Sequence, residues 1–282
     1  MSSTVCALAA IALWATLASL GTALAHVPPF LLTGAALIVG SLPSWPLALR
    51  DRAAWRVPPR TLMLGIYGLF GFHFLLFIAL RHAPPVEANL VNYLWPLGMV
   101  VMAPLFLPGM ALRPVHLAAA LLGFAGAAVA ILGARGSAGA AAAGTGYWGF
   151  VPALGSAFVW SSYSLWTRRV APFPTAAIGL FGLVSGALSL LCHALLEPAV
   201  ALSARDWGLV TLCGLGPLGA AFFLWDRALK GGDARQIGIL SYLTPLASTA
   251  LLLLVMGRPP SWSMAVAAAM IITAAVMGTR AR

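Results

Sequence analysis

The chain has 282 residues, of which 61% are hydrophobic and only 8% charged. An ordinary soluble domain carries about 25% charged residues. A soluble enzyme, a nucleic-acid binder and a disordered chain are therefore excluded, and the mean hydropathy of +0.97 leaves an integral membrane protein.

A helix needs about 20 apolar residues to cross about 30 Å of hydrocarbon. Ten such runs occur, at 5–24, 28–49, 61–80, 88–107, 114–134, 146–169, 172–195, 207–229, 236–256 and 261–279. They are continuous rather than alternating, which excludes a β-barrel. The expected class is an all-α polytopic membrane protein with ten transmembrane helices and a lipid bilayer as its surroundings. Ala23-Leu24-Ala25 resembles a signal cleavage site. However, no Lys or Arg precedes the first run, and the run is too long for a signal h-region. It is expected to be a membrane helix.

The basic residues set the expected orientation. With both termini cytoplasmic, the inside segments hold Arg50, Arg52, Arg56, Arg60, Arg113, Arg168, Arg169, Arg227, Lys230, Arg235, Arg280 and Arg282. The outside segments hold Arg81, Arg135, Arg205 and Arg258. The net charge of +10 thus reads as topology, and no nucleic-acid partner is expected.

In chain order, run 1 places Trp14 deep in the bilayer. Run 3 places His73 near the midplane, among Tyr67, Phe70, Phe74 and Phe77. The histidine is open to three readings: a neutral polar wall, a proton-coupling site or plain packing. Gly65, Gly68 and Gly71 in the same run allow close backbone approach. In run 4, Asn89, Asn92, Tyr93 and Pro96 follow i, i+3, i+4, i+7 spacing and share a face. The residues from Gly133 to Gly146 are rich in Gly and Ala and read as a linker. Their G-x-G-x-x-G spacing at Gly144, Gly146 and Gly149 follows no strand, so it is no nucleotide site.

Run 6 carries Trp160, Ser161, Tyr163 and Ser164. Trp160 lies about 12 Å from the boundary set by Arg168, at 1.5 Å per residue, too deep for an interfacial belt. Its serines can also bond the i−4 carbonyl or join helices. Run 7 holds Gly182 and Gly186 in GxxxG spacing. Run 8 supplies Phe222 and Trp225, followed by Asp226, which is expected to pair at the interface beside Arg227. In run 9, Gly238, Ser241, Tyr242 and Pro245 share a face. Cys6, Cys192 and Cys213 form no motif and read as inert thiols. The histidines show no metal-ligand spacing, so no metal and no cofactor are expected. No nucleophile–base pair suggests an intramembrane enzyme.

Asn92-Tyr93-Leu94-Trp95-Pro96-Leu97 is echoed 149 residues later by Ser241-Tyr242-Leu243-Thr244-Pro245-Leu246. The same offset pairs Ala79-Leu80-Arg81 with Ala228-Leu229-Lys230. Trp14 falls on Trp160 at an offset of 146. Residues 1–134 thus form a first five-helix repeat, 135–145 a linker and 146–282 a second repeat. Five is odd, so the second half runs inverted, a pattern of transporters with a midplane substrate site. Pro96 and Pro245 each remove a backbone hydrogen bond in mid-run. They are expected to be hinges beside a pathway, the alternative being packing alone.

Ten helices in two inverted halves, the Trp of run 1 and the repeated Tyr-x-x-Pro resemble the EamA-type branch of the drug/metabolite transporter superfamily over the whole chain. The resemblance implies a basket of helices around a central cavity, and an inner-membrane exporter of small metabolites working by alternating access. Aromatic or other hydrophobic amino acids are the favoured substrates. Small multidrug relatives in that superfamily carry a carboxylate in the first helix, and this chain does not. The expected cavity is therefore neutral and rich in π faces. It is lined by Trp14, His73, Asn89, Asn92, Tyr93, Trp160, Ser161, Tyr163, Ser164, Trp225, Ser241 and Tyr242. Transport is expected to be facilitative and the protein a monomer. The alternative is export of another metabolite or a drug, proton-coupled through His73.

Overall fold

Proline opens several of the helices. It has no N–H to leave unsatisfied at a helix start, and its fixed φ suits the first turn. The computed structural model describes residues 1–134, 147–257, 259 and 261–280. The expected linker at 135–145 lies outside the described residues, as do Arg135, Arg258 and Arg282.

The helices are α1 (Ser3–Ala23), α2 (Pro29–Arg50), α3 (Pro59–His82), α4 (Pro85–Phe106), α5 (Pro114–Gly133), α6 (Phe150–Trp166), α7 (Ala177–Leu196), α8 (Ala204–Gly231), α9 (Ala234–Val255) and α10 (Trp262–Arg280). Among the described residues, the nine other than α6 are long and apolar enough to cross a membrane. α6 has 17 residues and follows a single 3-10 turn at Tyr147–Gly149. No strand occurs among the described residues. The protein is a multi-pass, all-helical membrane protein.

Two pairs of helices pack through small residues. In the α2–α7 pair, a Cβ on Gly34 would stand 3.0 Å from the Gly186 carbonyl oxygen, and one on Gly186 would stand 2.8 Å from that of Gly34. In the α5–α10 pair, a Cβ on Gly126 would stand 2.8 Å from Ile271 Cγ1. Backbones approach this closely only where a side chain is missing.

α4 and α9 are not continuous. α4 stops at Asn92 and resumes at Trp95, and α9 stops at Leu240 and resumes at Leu243. Each break lies upstream of its proline because a proline ring clashes with the carbonyl four residues back, here Asn92 and Ser241. The two broken helices touch near their breaks, where a Cβ on Gly238 would stand 3.1 Å from the Pro96 carbonyl oxygen. α3 and α8 each contain one wider π-helical segment, at Tyr67–Gly71 and Gly216–Ala220.

The loops meet in two groups. In one, Trp55 Nε1 donates to the Ala176 carbonyl (3.1 Å), Arg168 to that of Gly232 (3.0 Å) and Arg235 to that of Ala111 (2.6 Å). In the other, His26 Nε2 lies 3.2 Å from Asp206 Oδ1, and the Phe30 N–H donates to Glu197 Oε1 at 3.1 Å.

Candidate functional site

The centre of the bundle is filled by large rings. Trp14 of α1, Trp95 of α4, Trp160 of α6 and Trp225 of α8 are all buried. The Trp14 ring lies 5.1 Å from Trp225 and 5.9 Å from Trp160, centroid to centroid. Trp160 stacks on Trp225 at 6.3 Å with 24° between planes. Trp95 meets both edge-on, at 6.4 and 5.7 Å. Phe72 of α3, Phe222 of α8 and Tyr163 of α6 complete the cluster around Trp160, at 5.2, 5.7 and 5.4 Å. Offset and edge-to-face pairs of this kind contribute about 0.5–1.5 kcal/mol each beyond area burial.

The π-helical segments supply the polar edge of this cluster. A π turn disrupts the i→i−4 ladder and leaves carbonyls for other donors. His73 Nδ1 lies 2.6 Å from the Leu69 carbonyl oxygen, and Trp14 Nε1 donates to the Pro217 carbonyl at 3.1 Å. A carbonyl only accepts, so His73 Nδ1 carries a proton, and in a neutral ring Nε2 is then the acceptor. The His73 ring lies 5.1 Å from Phe72 and 6.3 Å from Phe222. Trp225 Nε1 donates to Ser164 Oγ at 3.1 Å. Gly68, inside the first π segment, leaves the space that the Tyr163 ring fills.

Of the residues singled out in the sequence, Trp14, His73, Trp160, Tyr163, Ser164 and Trp225 come together in this cluster. Ser161 lies behind it and joins helices, donating to the Trp95 carbonyl at 2.8 Å and to that of Ala157 at 2.6 Å. Asn92 accepts from Ser156 Oγ at 2.8 Å, which ties α4 to α6 just above the break. Asn89 is half-buried one turn earlier, its carbonyl accepting the Tyr93 N–H.

The two repeated tyrosines lie apart from this cluster. Among the described residues, neither stacks on a ring of the tryptophan cluster. Tyr93 is half-buried at the α4 break. Tyr242 packs on Phe124 at 6.5 Å, in a separate cluster with Ala127 and Ile271. Ser241 Oγ bonds back to the Ile237 carbonyl at 2.8 Å. Helical spacing assumes an unbroken helix, and both tyrosines lie within a break. Trp95, which the spacing left out, opens the second segment of α4 and meets Trp160 and Trp225.

Asp226 also departs from expectation. Its partner is not Arg227 but Lys230, at 2.7 Å, with Thr175 Oγ1 donating to the same oxygen at 2.6 Å. Adjacent residues diverge around a helix, whereas i and i+4 are neighbours. Glu197, unremarked in the sequence, is a buried hub. It accepts from the N–H groups of Phe30 and Leu31 (3.1 and 3.2 Å) and from Arg81 (2.7 Å), and His193 Nδ1 lies 3.0 Å away. No group of three or more His, Cys, Asp or Glu side chains placed to hold a metal occurs among the described residues.

The profile of the EamA-like transporter family matches residues 1–132 and 147–279. The chain belongs to the EamA-like transporter family. It is therefore a transporter and not an enzyme. This EamA-like protein is 43% identical over 286 residues to the aromatic amino acid exporter YddG of Ancylobacter novellus, across 99% of this chain and 97% of that protein. It is also similar to a crystal structure of a protein with 40% sequence identity, at a TM-score of 0.90 over 99% of this chain and 97% of that one.

Proposed function

We propose that the protein exports aromatic and other hydrophobic amino acids through the tryptophan cluster, by alternating access and down the substrate gradient. The observation that carries this reading is the cluster itself. Four tryptophans from α1, α4, α6 and α8 converge at the bundle centre, where an apolar side chain would exchange one set of π contacts for another. The relative named as an aromatic amino acid exporter supports the same substrate class. The zwitterionic end finds neutral dipoles close by: His73 Nε2, Ser164 Oγ and the carbonyls beside the π segments. Asn89, Asn92, Tyr93, Ser161, Ser241 and Tyr242 belong to this pathway as its outer lining, exposed when α4 and α9 bend at Pro96 and Pro245.

The reading includes ten spans in two inverted halves, 1–134 and 146–282, working as a monomer in the inner membrane with both termini cytoplasmic. Several features support it. The family profile matches twice along the chain. The π segments lie 149 residues apart, at 67–71 and 216–220, and so do the helix breaks after Asn92 and around Ser241. The loop bonds sort into two groups that alternate along the chain, as ten crossings require.

The test is efflux of labelled phenylalanine from liposomes containing the purified protein. Export without an imposed proton gradient is expected. Concentrative transport that requires the gradient and vanishes in His73→Ala would replace the facilitative reading with proton coupling.

A further inference from the structure

Two cation-bearing helix ends lie 149 residues apart, at Arg81 in the last turn of α3 and Lys230 in the last turn of α8. Each reaches an aromatic ring next to the α2–α7 pair. The Arg81 guanidinium sits over Phe30, at the start of α2, 5.7 Å from the centroid. The Lys230 ammonium sits over Phe173, just before α7, at 4.0 Å. Each also meets a carboxylate whose side chain is almost fully buried. Arg81 Nη2 donates to Glu197 Oε1 at 2.7 Å, and Lys230 Nζ donates to Asp226 Oδ2 at 2.7 Å.

The ties differ in how they cross between helices. Glu197, at the end of α7, holds the first N–H groups of α2 and also receives α3 through Arg81. Asp226 belongs to α8 itself, and its crossing bonds are Thr175 Oγ1 to Asp226 and Lys230 Nζ to the Phe173 carbonyl, at 2.6 and 2.8 Å. Arg81 belongs to the group of ends that includes His26 and Asp206, and Lys230 to the group that includes Gly232 and Arg168. The two ties therefore stand at opposite ends of the tryptophan cluster.

We propose that Arg81–Phe30–Glu197 and Lys230–Phe173–Asp226–Thr175 are the two latches of the transport cycle, each holding one end of the pathway shut. These residues position helices and do not touch substrate. Both latches are made in this structure, and the cluster between them is closed by its own rings. A buried carboxylate that loses its cation is left uncompensated. Opening either end therefore requires water to reach Glu197 or Asp226, so each carboxylate is either paired and dry or unpaired and wet. Two such devices in inverted halves allow one end to open while the other stays made. The proposal rests on the alternating-access reading, but its test does not depend on which substrate is carried.

The reporter is Phe222→Cys, central in the cluster, in a chain whose Cys6, Cys192 and Cys213 are replaced by alanine. An impermeant maleimide is added to one side or the other of oriented membrane vesicles. Arg81→Gln leaves Glu197 on the α2 N–H groups and removes only the tie to α3. It is expected to raise the labelling rate about tenfold from the Arg81 side alone, the scale of one lost hydrogen bond to a charged group in a two-state equilibrium. Asp226→Asn combined with Lys230→Gln is expected to do so from the opposite side alone. Thr175→Val, a gentler change, is expected to give a smaller rise from that same side. Labelling like the parent, or from both sides, overturns the latches even if phenylalanine efflux persists. One-sided labelling, together with no phenylalanine efflux by the protein that keeps Phe222, keeps the latches and removes the substrate reading.

Discussion

The α2–α7 pair and the tryptophan cluster are both buried, yet they are built from opposite materials. The pair meets through Gly34 and Gly186, where backbone faces backbone and a single methyl has no room. The cluster meets through rings about 5–6 Å apart that pack in several orientations. Backbone contact of the first kind fixes a geometry, because main-chain atoms cannot rotate out of the way. Ring contact of the second kind can be remade with a guest ring. The small-residue pairs are the frame, and the aromatic centre is the part able to exchange partners.

That contrast is broken most severely at the frame. Gly186→Leu is expected to cost roughly 1–3 kcal/mol or more through overpacking. Its Cβ would stand 2.8 Å from the Gly34 carbonyl oxygen and 3.1 Å from the Ile38 nitrogen. Thermal unfolding in detergent checks this, and a parent-like melting temperature would mean the pair has more room than its geometry shows. Trp160→Ala comes next. It removes ring contacts with Trp14, Trp95 and Trp225, each of about 0.5–1.5 kcal/mol. At least a tenfold loss of phenylalanine efflux is expected in protein that still reaches the membrane.

Pro96→Ala is expected to have a smaller effect, restoring a backbone donor at the break and slowing turnover several-fold with little change in substrate affinity. Initial rates across substrate concentrations separate the two, and an affinity loss at unchanged turnover would count against the hinge. The smallest effect is expected from an imposed pH gradient, which should leave efflux unchanged because His73 is buried among Phe72, Phe77 and Phe222, where an unpaired charge is costly.

The frame was more legible in the sequence than the centre. The spans follow from apolar run length. The Gly182/Gly186 spacing marks the α2–α7 contact, since a missing side chain has the same meaning wherever the partner lies. Trp14 and Trp160 were legible through their repeat positions. Helical spacing does not place Tyr93 and Tyr242 relative to the tryptophans, because a regular 100° step does not hold across the breaks at Tyr93–Leu94 and Ser241–Tyr242, and it gives no sign of Trp95, which opens the second segment of α4. Asp226 pairs with Lys230, one helical turn away, and not with its sequence neighbour Arg227. Glu197 could not be found at all. Its partners at Phe30 and Leu31 lie more than 160 residues distant, and no local pattern encodes that meeting.

The central claim, that the tryptophan cluster is where an aromatic amino acid binds, is tested most directly by titrating purified protein with phenylalanine. Wild type, Trp160→Ala and Trp262→Ala are compared by calorimetry. Trp262 is 83% exposed at the start of α10 and serves as the control. The account predicts binding to wild type and to Trp262→Ala with equal affinity, and at least tenfold weaker binding to Trp160→Ala. Equal affinity in all three proteins would contradict it.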